Sequence, residues 1–244
     1  MAATTGNKEL TRDLFNKIAP HYDFVNSLAS FGRHHYWRRT LIELSGVFPG
    51  ASVLDVCCGT GMITFELAQK TGCAGKVIGV DFAEGMLRFA RGKRDYLRFR
   101  DRIELITADA LDLPFADDTF DCAVIGYGLR NVTDLRRALL EIKRVLKPGG
   151  KLASLELAHP NPPVFKDIYY FYLNHWIPLL GKLFAGNRSA YLYLNKSVRE
   201  YPHQRRITQI FEELGFLNTQ CLELTWGIAA IHVGTKPMFN NIKG

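Results

Sequence analysis

One short stretch constrains the fold more than any other part of the chain. Residues 51–61 read ASVLDVCCGTG, an apolar run that ends in small residues and is followed by a helical pattern from Met62. This order predicts a strand, a tight turn and a helix, the corner at which many α/β proteins bind a nucleotide. Gly59 and Gly61 let the backbone approach a ligand closely, and the helix presents free N–H groups to it. Asp55 adds a carboxylate at the end of the strand.

A second apolar run narrows the choice of ligand. Residues 76–81, KVIGVD, end in Asp81, and an acid about 20 residues after such glycines accepts hydrogen bonds from ribose hydroxyls in doubly wound sheets. Cys57 stands where the dinucleotide fingerprint has its first glycine, and the third glycine of that fingerprint is absent. A pyrophosphate is therefore poorly accommodated, and an adenosine without phosphates fits better.

The rest of the chain alternates between helical and strand patterns. We predict an α/β, Rossmann-like fold whose seven-stranded sheet is mostly parallel with one antiparallel strand and has helices on both faces. The last two strands are predicted to form a hairpin joined at residues 226–227. The predicted helices cover 8–19, 62–68, 83–96, 134–146 and 202–214, and the remaining strands cover 102–107, 120–126, 151–157, 218–225 and 228–234.

Two further strand ends carry candidate site residues. Asp109 follows the third strand, where a carboxylate can meet an adenine amino group, although a helix N-cap is the alternative for an isolated acid there. Gly126 ends the fourth strand and precedes Arg130 and Asn131. The carboxyl ends of strands form the edge where α/β sheets place their chemistry, so this turn is a strong site candidate.

Residues 53–61 and 79–87 resemble the glycine-rich motif and the acidic strand end of class I S-adenosylmethionine-dependent methyltransferases. The resemblance implies that the turn cradles the methionine half of the cofactor, Asp55 orients its ammonium group and Asp81 holds its ribose, with S-adenosylhomocysteine as the product. The residues assigned to the cofactor are Asp55, Gly59, Thr60, Gly61, Asp81, Phe82, Asp109, Ala110 and Gly126.

Four other runs are similar to motifs of the UbiE/MenG family of quinone C-methyltransferases. They are YDFVN at 22–26, SFGRHHYW at 30–37, RNVTD at 130–134 and RVLKPGGKLASLEL at 144–157. The resemblance covers most of the chain and implies methylation of a ring carbon of a prenylated quinol. The expected reaction is demethylmenaquinol to menaquinol, with the benzoquinol precursor of ubiquinone as another acceptor. It also implies that Asp109 and Ala110 line the adenine pocket.

A quinol ring becomes nucleophilic at carbon when a hydroxyl group loses its proton, so the reaction requires a proton acceptor within reach. We expect Arg130 and Asn131 to position a water molecule or the phenolate. Tyr22, His34 and His159 are candidate acceptors or positioning groups, and the choice among them stays open.

We expect a single domain over 1–244. Residues 1–46 are predicted to form a helical segment that covers the substrate site. Residues 159–201 are predicted to form an aromatic-rich insertion of short helices that walls the substrate. In each case the plainer alternative is a packing segment of the core.

Composition excludes several classes of protein. Lysine and arginine exceed aspartate and glutamate by 31 − 24 = 7, which permits attraction to anionic surfaces but identifies none, and no nucleic-acid motif accompanies the charge. The densest basic run, 88–102, has a solvated helix face as its plainer interpretation and a membrane-surface patch as the alternative. Neither a secretory signal nor a membrane-spanning run is present, so we expect a cytoplasmic protein that contacts the membrane transiently. The sequence leaves open whether the chain forms a homodimer.

The five cysteines lack the paired spacing of zinc ligands, so we expect no metal and reduced, mostly buried thiols. Two other functions stay open. One is methylation of a different small phenolic acceptor. The other is a non-catalytic module that binds S-adenosylmethionine, suggested by Cys57 and Met62 in place of the residues common in relatives.

Overall fold

A computed structural model of the chain describes residues 8–161, 163–185 and 188–238. Its strands are β1 (Ser52–Val56), β2 (Lys76–Asp81), β3 (Ile103–Thr107), β4 (Phe120–Gly126), β5 (Leu146–Leu157), β6 (Leu217–Leu224) and β7 (Ala229–Thr235). They form one seven-stranded sheet in the order β3-β2-β1-β4-β5-β7-β6. β7 runs antiparallel to β5 and β6, and the other neighbouring pairs are parallel. The predicted fold class is confirmed.

Helices lie on both faces of the sheet. They are α1 (Lys8–Ile18), α2 (Tyr22–Ala29), α3 (Arg33–Leu44), α4 (Met62–Lys70), α5 (Glu84–Arg94), α6 (Leu135–Val145), α7 (Pro163–Ala185), α8 (Arg188–Glu200) and α9 (Gln204–Glu213). Among the described residues, no helix is long and apolar enough to pass through a bilayer.

The alternation of side chains along the strands builds two cores. Val53 and Val124 pack under α3, α4 and α5, whereas Leu54 and Ile125 pack under α6 and α9. The strand order reverses between β1 and β4, and ligands bind at such switch points, outside the carboxyl ends of the strands. The same alternation turns Asp55 toward the α4 side, because it lies two residues beyond Val53.

The turn predicted before β5 is incorporated into that strand. Two residue steps along β4, from Phe120 to Cys122, correspond to five along β5, from Leu146 to Lys151. The three extra residues bulge out, and Gly149 takes a left-handed conformation with φ 79°. The bulge restores the register before β5 reaches the site edge.

The insertion differs from its prediction. In place of short helices, the structure shows α7 with 23 residues and α8 with 13. Pro178 lies buried inside α7, where packing against α2 and α8 outweighs its tendency to break a helix. Residues 162 and 186–187 of the predicted insertion lie outside the described part of the chain.

The predicted N-terminal segment is helical over its described part, in α1, α2 and α3, while residues 1–7 lie outside that part. Val25 of α2 packs against Tyr169 and Leu173 of α7 in a third core cluster. The N-terminal helices and the insertion therefore form one layer beside the switch point. Their covering role stays a prediction.

The cysteines are all free. Cys58 and Cys122 are buried and Cys57 is half-buried, but Cys73 and Cys221 are exposed. The expectation that most of them are buried is therefore wrong. Both exposed thiols lie outside the nucleotide-binding corner, at positions where the pattern of apolar residues in the sequence did not indicate whether a side chain is buried.

Candidate active site

Two cavities meet at the switch point of the sheet. The first cavity encloses about 750 Å³ and the second about 990 Å³, both including their open mouths. Five residues line both cavities and separate them, and we call this set the seam: Tyr22, Cys57, Gly59, Gly126 and Tyr127. A group passed from one cavity to the other has to cross the seam.

Asp81 fixes the turn between β1 and α4 from the neighbouring strand. Its Oδ2 accepts a hydrogen bond from the N–H of Gly59 at 2.8 Å, and its Oδ1 accepts one from the N–H of Ala83 at 2.8 Å. Burial raises the pKa of Asp81 to about 6, although these backbone donors favour the ionised form. The carboxylate lines the first cavity, and its remaining lone pairs can accept hydroxyl donors there.

Asp55 and Gly61 do not line either cavity. Asp55 is fully buried, and its Oδ2 accepts a hydrogen bond from Thr64 Oγ1 of α4 at 2.6 Å. Burial raises the pKa of Asp55 to about 7. Gly61 caps α4 with φ 82°, and a Cβ there would lie 2.6 Å from the ring of Phe65. Both residues support the turn from its buried side, which faces α4. Their predicted contacts with the cofactor stay predictions.

The far end of the first cavity is apolar with one acid. Phe82, Asp109 and Ala110 line it together with Met86 and Leu111. Lys8 of α1 is a further partner of this site, and it donates to Asp109 Oδ2 at 2.5 Å. Burial acts to raise the pKa of Asp109, but Lys8 and the N–H of Leu111 outweigh it and lower that pKa. No motif indicated Lys8, because the contact is between residues 101 positions apart.

The second cavity is the larger of the two. It lies between the turn, the N-terminal helices and the insertion, and Thr60 lines it from the turn. Its apolar wall includes Trp37, Leu157, Tyr169, Tyr172, Leu173, Ile177, Leu194 and Ile228. Its polar groups include Asp23, Asn26, His34, Arg38 and Arg130. A flat apolar ring with a few polar substituents fits such a lining.

A buried ion pair lies at the edge of the second cavity. Arg130 Nη1 donates to Glu156 Oε2 at 2.5 Å and to the carbonyl of Tyr127 at 2.9 Å. The Arg130 and Glu156 side chains are 5% and 1% exposed. Burial acts to lower the pKa of Arg130, but the Glu156 carboxylate outweighs it and raises that pKa, so the guanidinium stays charged.

Glu156 was not among the predicted site residues. It is the penultimate residue of β5, within the RVLKPGGKLASLEL run, so its place at the carboxyl edge of the sheet was the available signal. Burial raises the pKa of Glu156, and Arg130 opposes that shift. The backbone N–H groups of Arg130 and Leu157 also donate to this carboxylate.

Tyrosines surround this ion pair. The hydroxyl groups of Tyr127, Tyr169 and Tyr201 are buried and have no partner among the described residues, and neither does Arg130 Nε. Burial raises the pKa of Tyr22, which Arg130 partly counteracts. The tyrosines therefore stay protonated, and the guanidinium keeps an uncommitted N–H close to the seam.

The candidate histidines differ in position. His34 lies buried in the wall of the second cavity, with Nδ1 2.7 Å from Ser30 Oγ. Burial lowers the pKa of His34 to about 4. His159 does not line either cavity, and its ring nitrogens contact the Tyr170 hydroxyl and the Tyr201 carbonyl. The structure thus brings His34, and not His159, to the site.

Asn131 and Asp23 connect helices to the site. Asn131 donates to the carbonyl of Tyr127 at 3.0 Å, accepts from the Tyr193 hydroxyl at 3.2 Å and lines the first cavity. Asp23 accepts from Thr60 Oγ1 at 2.6 Å and pairs with Lys93. Asp23 therefore ties the N-terminal segment to the turn. In the described part of the chain, no three His, Cys, Asp or Glu side chains group as metal ligands.

The sheet order, the acid at the end of β2 and the paired cavities define the class of S-adenosylmethionine-dependent methyltransferases. Two solved structures share the fold. One, from Aquifex aeolicus, has a TM-score of 0.64 and 19% identity and covers 88% of this chain and 97% of its own. The other, from Thermotoga maritima, has a TM-score of 0.62 and 21% identity and covers 93% and 99%. Both are named as S-adenosylmethionine-dependent methyltransferases.

The chain belongs to the ubiE/COQ5 methyltransferase family, whose family model matches residues 3–236. A demethylmenaquinone methyltransferase from Staphylococcus aureus strain JH9 is 41% identical over 244 residues, which is the full length of both chains. The protein of strain Newman matches equally well. The predicted family and the predicted enzyme class are confirmed.

Proposed function

We propose that the chain transfers a methyl group from S-adenosylmethionine to a ring carbon of demethylmenaquinol in menaquinone biosynthesis. The observation that carries this proposal is the meeting of the two cavities at the seam. One cavity has acids placed for an adenosine, and the other is aromatic with a buried cation. The family and the name of the S. aureus relatives support the same acceptor.

The residues of the first cavity fit the cofactor. The Asp81 carboxylate is held by two backbone donors and can accept both ribose hydroxyls. Asp109 could accept from the adenine amino group, and Phe82 and Met86 would offer apolar surface to the adenine ring. S-adenosylmethionine, when bound, would supply an electrophilic methyl group on a positively charged sulfur. The seam would align the acceptor with that group.

The second cavity fits the quinol. Trp37, Tyr169 and Tyr172 offer aromatic faces for a bicyclic ring, and Leu173 and Ile177 offer apolar surface for a prenyl chain. Ligand cavities of about 300–1,000 Å³ hold molecules of drug size, so this cavity holds the ring and the first part of the chain.

Arg130 is the residue that makes the ring nucleophilic. A buried guanidinium favours the ionised form of a neighbouring hydroxyl. Arg130 lines the second cavity, and its Nε is buried and has no partner among the described residues. Arg130 cannot accept the proton, because an arginine keeps its charge in proteins. His34 is uncharged at neutral pH and lines the same cavity, so we assign it the proton, directly or through one water.

The pKa of His34 decides how much of the activation of the quinol comes from Arg130 and how much from His34. A base with a pKa of about 4 takes a proton from an ordinary phenol only weakly. Most of the activation therefore has to come from the lowered pKa of the quinol beside Arg130. Tyr22 stays protonated and, as part of the seam, positions the ring there. Asn131 lines the first cavity and acts on the seam through its hydrogen bond to the carbonyl of Tyr127.

The test is transfer of label from S-adenosylmethionine to chemically reduced demethylmenaquinol and, side by side, to a demethylated benzoquinol precursor. We expect label in demethylmenaquinol. Label only in the benzoquinol would move the proposal to ubiquinone biosynthesis. If neither quinol is labelled while the cofactor binds, the acceptor is another phenol, or the chain only binds the cofactor.

Two variants separate the cavities in the same assay. Asp81→Ala should abolish cofactor binding, whereas Arg130→Ala should leave binding intact and lower turnover by about 100-fold or more. Asp101→Asn is the matched control, because the Asp101 side chain is 91% exposed. Normal turnover in both site variants would refute the residue assignments.

A further inference from the structure

The outward face of α7 is apolar. Ile168, Phe171, Leu179 and Leu183 are spaced by three, eight and four residues, which places them along one side of the helix. Together with Trp176 they are 45–65% exposed. The opposite side of α7 is buried through Tyr169, Leu173 and Ile177. A helix that is apolar on both sides has more apolar surface than its packing within the described residues covers.

Two turns with exposed aromatic side chains lie beside this face. Phe31, in the turn between α2 and α3, is 80% exposed, and its ring centroid lies 5.9 Å from that of Tyr172. Trp226, in the turn between β6 and β7, is 71% exposed and lies 5.0 Å from Phe165 near the start of α7. We call Phe31, Ile168, Phe171, Trp176, Leu179, Leu183 and Trp226 the apolar platform. Contiguous exposed apolar surface of this kind marks an interaction site.

The apolar platform is continuous with the second cavity. Tyr172, Leu173 and Ile177 of α7 line that cavity, as do Ala29 and Ser30 beside Phe31. The hydroxyl of Tyr172 donates to the carbonyl of Ala29 at 3.1 Å, so the α2–α3 turn and α7 form one wall. A prenyl chain that follows the inner side of this wall leaves the cavity beside the platform.

Positive charge accompanies the platform. From Phe24 to Ile42 the chain contains no aspartate or glutamate. Arg33, two residues after Phe31, and Arg39 are exposed on α3, and neither forms an ion pair with another described residue. Apolar and aromatic side chains beside unpaired arginines are typical of surfaces that rest on anionic lipid.

We propose that the apolar platform rests on an anionic lipid bilayer, so that the second cavity opens toward the lipid that holds the quinol. This inference builds on the proposed function, since a prenylated acceptor is dissolved in the bilayer. The ring then enters the second cavity while the end of the prenyl chain stays in the lipid. The first cavity exchanges its water-soluble cofactor on the aqueous side.

The test is flotation of the full chain with vesicles of phosphatidylcholine alone or mixed equally with phosphatidylglycerol. The variant Phe171→Glu/Leu179→Glu changes two platform residues that line neither cavity. Phe48→Glu/Leu140→Glu is the matched control, because these side chains are 50% and 47% exposed against 58% and 45%. We expect the platform variant to bind mixed vesicles about tenfold less than wild type and the control to bind normally.

A second variant, Arg33→Gln/Arg39→Gln, tests the contribution of positive charge to binding and leaves the apolar platform unchanged. It should lose the preference for phosphatidylglycerol, and added salt should weaken wild-type binding in the same way. Equal binding by the platform variant and the control would overturn the proposal, as would a wild type that does not float. A wild type that is dimeric, with a monomeric platform variant, would overturn it in favour of a contact between two copies.

Methyl transfer in detergent separates this inference from the proposed function. The platform variant should methylate demethylmenaquinol in micelles at the wild-type rate, and its far-ultraviolet circular dichroism should be unchanged. If the wild type is active in micelles and the platform variant still binds vesicles, only the proposal about the platform is refuted. A wild type that binds vesicles through the platform but methylates neither quinol refutes only the acceptor.

Discussion

Replacing Glu156 by glutamine removes the charge that balances Arg130. The Glu156 and Arg130 side chains are 1% and 5% exposed, so water screens neither charge. Glutamine keeps the size of the side chain but has one acceptor oxygen, whereas the carboxylate accepts from Arg130 Nη1 and from the N–H groups of Arg130 and Leu157. The variant therefore holds a buried, unbalanced guanidinium that cannot lose its proton.

Breaking a buried pair in this way costs about 3–5 kcal/mol of unfolding free energy. The partner variant, Arg130→Gln, should cost less, about 1–3 kcal/mol near pH 5. Burial already raises the pKa of Glu156, so without Arg130 this carboxyl group takes up a proton and becomes neutral. Arg130→Gln therefore loses less unfolding free energy than Glu156→Gln, because an unpaired carboxylate can take up a proton whereas an unpaired guanidinium cannot lose one.

The pH dependence has a definite sign. In Arg130→Gln, the pKa of Glu156 in the folded state lies above its value in the unfolded chain. Its contribution to stability is complete below the unfolded pKa and is lost as pH rises through the folded one. Arg130→Gln should therefore be less stable at pH 8 than at pH 5 relative to wild type. Glu156→Gln has no such group and should show no comparable loss.

Urea unfolding followed by circular dichroism at both pH values measures these differences. The double variant Arg130→Gln/Glu156→Gln completes a thermodynamic cycle, and it should be more stable than Glu156→Gln alone. The reasoning fails if Glu156→Gln lies within about 1 kcal/mol of wild type, or if Arg130→Gln is the more costly change at pH 5.

Three further predictions concern the supports of the site. Burial raises the pKa of Asp55 to about 7, so Asp55→Asn should gain about 3 kcal/mol relative to wild type between pH 5 and pH 8; parallel urea midpoints would contradict this. Gly61→Ala should lose more stability than Gly72→Ala, because both positions are left-handed but only at Gly61 would a Cβ meet a ring; equal losses would show that the ring moves aside. Asn16 Oδ1 accepts from the N–H of Gly85 at 2.8 Å, so Asn16→Ala should speed hydrogen exchange in α1 and release of bound cofactor; unchanged rates of both would separate α1 from the first cavity.

Local patterns predicted much of the fold. The run that ends in Asp81 and the run that ends in Gly126 form strands that end at those residues. The predicted helix 134–146 forms as α6, and Asp134 caps it through a hydrogen bond from the N–H of Arg137. These features depend on neighbours within a few positions, which is why the sequence predicts them well.

The features that were missed depend on distant residues. Pro178 stays within α7 because tertiary packing holds the helix on both sides of it, and no local signal reports that packing. Lys8 meets Asp109 through the position of α1, and Glu156 meets Arg130 through the order of β4 and β5 in the sheet. The direction of Asp55 was available from strand alternation, but which face carries the cavity was not.

The seam has a consequence for how such an enzyme can change. Cys57 and Tyr127 have φ values of 57° and 60°, a conformation that costs a residue with a side chain about 1–2 kcal/mol. Glycine at either position would remove that cost and also one of the side chains that line both cavities. A change that relieves the backbone strain at these two positions therefore also changes the boundary between the two cavities. A more heat-resistant variant that keeps this boundary would gain its stability from substitutions outside the seam.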